Sequence, residues 1–232
     1  MMASLLTTTG CCPDAKGYIA AMESVFTLDP YVVQPTRAEL KAASPRNVPP
    51  TRTGCRGIVG TLGEVTVERV GLRSHDGGAQ RTRAEVRGAE VPAVVLTGRA
   101  VWGEEPSLDG AELTVDGGSV PWKMNVLGVR KADRALRFAY QGRAYAYTLL
   151  PKAKGAQLCR DGVCVLLEPF KAKNGMRGTR GTMSGPTDGV DVALGVVFEQ
   201  VDTRLLSPKA ATALAPYHLL DRFARASRAP GQ

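Results

Sequence analysis

The chain has 232 residues, with 26 glycines, 15 prolines and 6% aromatic side chains. That composition suits many short strands and turns and excludes a helical bundle. Its formal charge of +8 favours a polyanion such as RNA, DNA or acidic lipid, or equally an acidic protein neighbour, and bears on association rather than fold. No stretch approaches the roughly 18 apolar residues of a membrane span, so a soluble protein is expected. Five cysteines are too few for a disulfide-built secreted scaffold and lean towards a reducing compartment.

Residues 1–53 read as a Pro-rich arm with short helices. The opening MMASLLTTTGCCPDAKG has no basic n-region and no Arg precedes position 37, which argues against a secretory signal or an intact transit peptide. An intracellular location follows, either cytoplasmic or organellar in mature form. Asp14 can cap a helix whose Tyr18, Ile19, Met22, Val25 and Phe26 share one face. Thr36 and Glu39 form a capping box for one or two further turns. The pairs Asp29-Pro30, Gln34-Pro35, Ser44-Pro45 and Pro49-Pro50 keep the chain extended. Such an arm has no core of its own and must lie on the β domain, on a partner or in solvent.

Residues 54–206 read as a β-rich core beginning near Ile58. Val65, Val67 and Arg69 alternate with Thr66, Glu68 and Val70, and Thr82–Val86 returns after a Ser74–Gly78 loop. The apolar run Val91–Leu96 predicts a strand buried on both faces, with Pro92 confining it to a strand end or sheet edge. Leu113–Val115 and Trp122–Val129 follow across Asp116-Gly117-Gly118. In LRFAYQGRAYAYTL, residues 136–149, a two-residue Gln141-Gly142 turn pairs Tyr140 with Arg143, Phe138 with Tyr145 and Leu136 with Tyr147. One face of this hairpin is then bulky and the other nearly bare, with Ala139 opposite Ala144 and Arg137 opposite Ala146, and an aromatic face of this kind in a half-buried sheet is expected to face the core. A second hairpin, Ala156–Leu167, turns at Asp161-Gly162. Turns at intervals of about 8 to 12 residues are the rhythm of an antiparallel sandwich or barrel. Over Asp188–Leu206, Val190, Val192, Leu194, Val196 and Phe198 alternate as in a strand, while Val197, Val201 and Leu205 continue a helical stripe. The alternation predicts a strand.

Residues 207–232 read as a basic helical extension. Ser207-Pro208 starts a helix, Pro216 interrupts it before Leu219, Leu220 and Phe223, and Arg222, Arg225 and Arg228 lie at three-residue spacing. The positive charge is concentrated late in the chain, about +5 over 151–186 and +4 over 203–232. The layout of short strands with one apolar segment near the C-terminus is loosely similar to tubby-like barrels, a likeness of layout from which no function follows.

Candidate chemistry is sparse. The Asp161-Gly162 turn sets Cys159 opposite Cys164 at a non-hydrogen-bonded position, where side chains come closest. Either a cross-strand disulfide or two thiols packed as small apolar residues fits, the second being what a reducing compartment favours. C-x4-C is too loose for the usual zinc knuckle, Cys11-Cys12 are far off in the arm, and Cys55 stands alone. No metal site or cofactor is expected. His75, beside Asp76 in a polar turn, and His218 have no catalytic companion in sequence, and Glu104-Glu105 reads as a solvated loop. The segment Lys171–Gly181 brings Lys171, Lys173, Arg177 and Arg180 onto a Gly-rich loop without P-loop spacing. Those cations, with Arg222, Arg225 and Arg228, are the candidate partner-binding residues. Two functions fit: a non-catalytic assembly subunit docking on other subunits through its arm and basic C-terminal half, or a nucleic-acid-binding β-barrel using the aromatic ladder as a stacking platform. The position of the cations relative to that ladder separates them.

Overall fold

The computed structural model describes residues 23–42, 51–72, 81–100, 105–125, 134–151 and 154–207. The expected helix start at Asp14, the Ser74–Gly78 loop, most of Trp122–Val129 beyond Met124, and the basic extension with Arg222, Arg225 and Arg228 lie largely or wholly outside the described residues.

Thirteen strands are found among the described residues: β1 (Ser24–Val33), β2 (Arg52–Ile58), β3 (Glu64–Leu72), β4 (Arg81–Gly88), β5 (Val91–Arg99), β6 (Glu112–Val115), β7 (Gly118–Ser119), β8 (Trp122–Met124), β9 (Leu136–Tyr140), β10 (Arg143–Leu149), β11 (Ala156–Arg160), β12 (Val163–Lys171) and β13 (Arg177–Ser184). Two helices accompany them, α1 (Arg37–Ala42) and α2 (Gly189–Glu199). The protein is mainly β, one antiparallel sheet in the order β7-β6-β5-β4-β3-β2-β1-β13-β12-β11-β10-β9-β8. It consists of two runs of neighbouring strands joined by β1. The first half of β1 pairs with β13, from Ser24 opposite Met183 to Leu28 opposite Thr179. Its second half pairs with β2, from Asp29 opposite Arg56 to Val33 opposite Arg52.

The two ends of this sheet, β7 and β8, are consecutive in the chain and separated only by Val120 and Pro121. Ser119 and Trp122 are three residue steps apart, a reach of no more than about 11 Å, so the sheet has to curl until its ends are neighbours. What it curls around is α2, which packs against β4 and β5 on one side and β11 and β12 on the other. Val192, Ala193, Leu194, Val196, Val197 and Phe198 are all buried, which leaves the helix no polar face. The wall supplies alternate residues, among them Val65 and Val67, Ala84 and Val86, Val94 and Leu96, Val165 and Leu167. No helix among the described residues is long and apolar enough to cross a membrane.

Two expectations are corrected. Asp188–Leu206 does not begin as a strand: it holds α2, and the period-two pattern arose because nearly every residue there is apolar, so alternation carried no information about faces. The local signal for a helix was the Asp188-x-x-Asp191 spacing. The Asp188 carboxylate accepts from the Val190 and Asp191 backbone N–H groups at 3.1 Å each, and Asp191 accepts from the Asp188 N–H at 3.0 Å. The second correction concerns the arm. Residues 24–33 belong to the sheet as β1, with Phe26 and Leu28 in the core, so Val25 and Phe26 alternate on a strand rather than sharing a helical face. The Phe26 ring lies over Gly181 of β13, where any side chain would strike it. The Thr36–Glu39 capping box does open α1, with the Glu39 N–H donating to Thr36 Oγ1 at 3.2 Å and the Thr36 N–H to Glu39 at 2.7 Å. Val91–Leu96 lies in β5 but is not buried on both faces: Val91, Val94 and Leu96 are buried, Pro92 and Val95 half-buried and Ala93 exposed, and Pro92 sits at the strand start where the register with β4 shifts.

Phe198 rests on Trp122, Phe138 and Tyr147, with ring centroids 5.9, 5.8 and 4.9 Å away. Phe198→Ala is expected to destabilise the fold by about 3–5 kcal/mol, read as a lowered urea midpoint, whereas Val25→Ala on the outer face shifts it by no more than about 0.5 kcal/mol.

Candidate interaction site

The four described cations are gathered on the β12–β13 hairpin, but they do not act alike. Its tip is an ordered turn: the Gly175 N–H donates to the Ala172 carbonyl at 2.9 Å, Gly175 adopts φ 81°, and the Ala172 N–H donates to the Met176 carbonyl at 2.8 Å. This is a three-residue hairpin loop with its glycine in the left-handed region. Lys171 and Arg177 face each other across the pair, and Lys173 projects from the turn. Lys171 and Lys173 are exposed. Arg177 reaches inward to Glu199 at 3.5 Å. Arg180 lies on the outer face, its guanidinium 5.9 Å from the Phe170 ring centre, with Phe170 resting against Gly178.

The aromatic ladder is buried. The β9–β10 register is Arg143 with Tyr140, Tyr145 with Phe138 and Tyr147 with Leu136. Gln141 and Gly142 take φ of 50° and 74°, as a type I′ turn requires. Phe138, Tyr145 and Tyr147 are buried, and Phe138 stacks on Tyr145 at 5.1 Å. A curled sheet has its larger side chains inside, where they meet Phe198. The cations and the ladder therefore form no common exposed surface, although Arg177 and Tyr147 both reach Glu199.

Both ends of α2 carry polar clusters that sequence reasoning missed. At its N-terminus Arg160 holds Asp191 through two hydrogen bonds of 2.7 and 2.9 Å, the Tyr145 hydroxyl donates to Asp191 at 3.1 Å, and Arg143 is ion-paired with Asp188. Burial opposes ionisation of Asp188, but Arg143 and the Asp191 N–H outweigh it and hold its carboxyl below the usual carboxylate range. At the C-terminus the Glu199 side chain is only 4% exposed and meets Arg177 and the Tyr147 hydroxyl, each at 3.5 Å. Burial lifts the Glu199 carboxyl above its ordinary range, with Arg177 and Tyr147 offsetting part of the effect. Burial, then Glu199, pushes the Tyr147 phenol well up. No periodic signal marks these residues; only charges set within or beside apolar runs, such as Asp191 and Glu199, point to them.

Cys55 is buried on β2, its thiol donating to the Arg177 carbonyl at 3.5 Å, and burial pushes it up to about 11. It is a poor nucleophile at neutral pH. Cys159 and Cys164 face each other on β11 and β12 and are joined as a disulfide. Glu105 pairs with Arg69 at 3.1 Å. Cys11, Cys12, His75, Glu104 and His218 lie outside the described residues.

A carboxyl whose folded pKa is raised binds its proton more tightly in the folded state, so it favours folding at low pH. That contribution is lost as pH rises from the ordinary glutamate range, about 4.3, through the raised value. Glu199→Gln should remove this slope, so the variant gains stability relative to the wild type as pH increases across that window. Urea midpoints of both proteins over a pH series check it. No protein-family model matches the chain, and neither a curated protein nor a solved structure matches it.

Proposed function

We propose that the protein is a non-catalytic subunit of a larger assembly, a curled β domain that docks on neighbouring proteins through its outer face, N-terminal arm and basic C-terminal half. The observation that carries this reading is the placement of the aromatic ladder. Phe138 and Tyr147 pack on Phe198 inside the sheet and Tyr145 stacks on Phe138, so the stacking platform that a single-strand binder needs is committed to the core. Arg177 and Arg180 also contact Glu199 and Phe170 within the chain, while both stay exposed.

The outer face offers apolar side chains suited to a protein neighbour. Val25 is 63% exposed and Ile58 66%. They lie towards the same end of the sheet, since Gly57, beside Ile58, has its backbone against the Thr27 carbonyl. Apolar groups left in water on adjacent strands gain free energy when a partner covers them. Lys171 and Lys173, on the exposed hairpin turn, add a positive element that steers an acidic partner.

Isolation of the native protein at physiological salt, with and without nuclease, tests this. Stoichiometric protein partners are expected to survive nuclease and to be lost from a Val25→Asp, Ile58→Asp double variant that still folds by circular dichroism. Recovery of RNA with an otherwise free monomer, weakened by Lys171→Glu and Lys173→Glu, would replace this reading with nucleic-acid binding.

A further inference from the structure

The Cys159–Cys164 pair sits in a setting that its role in folding does not explain. The two cysteines are five residues apart, with Cα atoms 4.2 Å apart, close to the spacing of a non-hydrogen-bonded antiparallel pair. The loop that the bond closes is already closed by the hairpin, and the hairpin is held on both flanks by β10 and β13. A cross-link of so short a loop constrains the unfolded chain less than one between distant strands would. Both cysteines lie on the outer face, half-buried, away from the apolar core.

The surroundings of the pair follow from the register. Across six strands from β13 to β8, the residues in line are Ser184, Cys164, Cys159, Ala146, Arg137 and Lys123. Thiol–disulfide exchange requires the attacking thiolate to approach along the S–S axis, opposite the departing sulfur. That axis runs along this row. Approach to Cys159 passes over the Ala146 methyl, and the neighbouring Ala139 and Ala144 are exposed and equally small. Beyond Ala146 stand two cations, with Arg137 two strands from Cys159, about 10 Å at the usual strand spacing. Approach to Cys164 passes over Ser184 and meets no cation in the row.

We propose that Cys159–Cys164 is a thiol–disulfide exchange site for a small anionic thiol, which attacks Sγ of Cys159 across Ala146. The incoming thiolate forms a mixed disulfide with Cys159, the Cys159–Cys164 bond breaks, and Cys164 leaves as a thiolate that takes a proton from water. A second thiolate attacks the small-molecule sulfur of the mixed disulfide, releasing Cys159. Two thiols are oxidised to one disulfide, and the protein disulfide is reduced to a dithiol. The reverse sequence restores it.

The test equilibrates the full-length protein with mixtures of reduced and oxidised glutathione, followed by acid quench, alkylation and mass spectrometry. Both dithiol and disulfide are expected across the series with unchanged circular dichroism, the trapped glutathione on Cys159, and Cys55 unlabelled until the chain is unfolded. Ala146→Leu should slow reduction by glutathione, whereas Ala139→Leu, off the row, should not. Lys123→Glu should slow it about two- to threefold at low salt and leave reaction with uncharged 2-mercaptoethanol unchanged. A pair that stays oxidised until urea unfolds the protein, a pair that never oxidises in oxidised glutathione, or a mixed disulfide on Cys164 would each overturn the proposal.

Discussion

A helix with no polar face cannot lie on the surface of a sheet, because whichever side faced water would expose valine, leucine or phenylalanine. Enclosure is what α2 demands, and most of the architecture follows from it. The thirteen antiparallel strands among the described residues surround a helix of 11 residues, about 16 Å long. The sheet curls because Val120 and Pro121 tie its two ends together, and β1 bonds to β13 along one half and to β2 along the other. A strand from the N-terminal part of the chain thus completes the wall around a helix near residue 190. Ring packing is concentrated where Phe198 meets Trp122, Phe138 and Tyr147.

Enclosing a helix creates a problem at each end, since its terminal N–H and C=O groups leave water. The N-terminal end is resolved with negative charge. Asp188 and Asp191 cap the exposed N–H groups, which also suits the helix dipole, and Arg143 and Arg160 from neighbouring strands balance them. The C-terminal end is less favourable. Glu199 is an acid at the negative end of the dipole and almost fully buried, so its charged form is disfavoured twice, and Arg177 and the Tyr147 hydroxyl compensate only in part. The two ends therefore respond oppositely to pH.

The same inside–outside division shapes what the surface can do. With large side chains drawn inward, the outer face of β9 and β10 is left with alanines, and the cysteine pair of β11 and β12 stands beside them. On the other half of the sheet the outer face carries linked polar groups. Arg56 lies over the Tyr31 ring, the Tyr31 hydroxyl donates to Glu68 at 2.8 Å, and Glu85 opposite Glu68 is balanced by Arg83 and Arg87. Val25 and Ile58 interrupt that polar surface with exposed apolar side chains. Docking and thiol exchange are thus proposed for different strands of one wall.

Short-range chemistry was legible in the sequence. Gln141-Gly142 and Asp161-Gly162 set the two hairpin registers because a two-residue turn leaves the flanking strands one way to pair, and that register also set Cys159 against Cys164. The Thr36–Glu39 box, bonded over three residues, was legible for the same reason. The identity of α2 was not, because periodicity reports faces only when one of them is polar, and enclosure removes the polar face. The place of β1 was hidden as well: prolines at 30 and 35 resemble an arm until β2 and β13 are present to pair with it. The inward face of the aromatic ladder was legible too, since bulky rings on one face of a half-buried sheet belong to the core, but tertiary structure alone decided that Arg177 turns to Glu199, because that depends on how the sheet curls, and the curl is set by contacts between residues far apart in the chain.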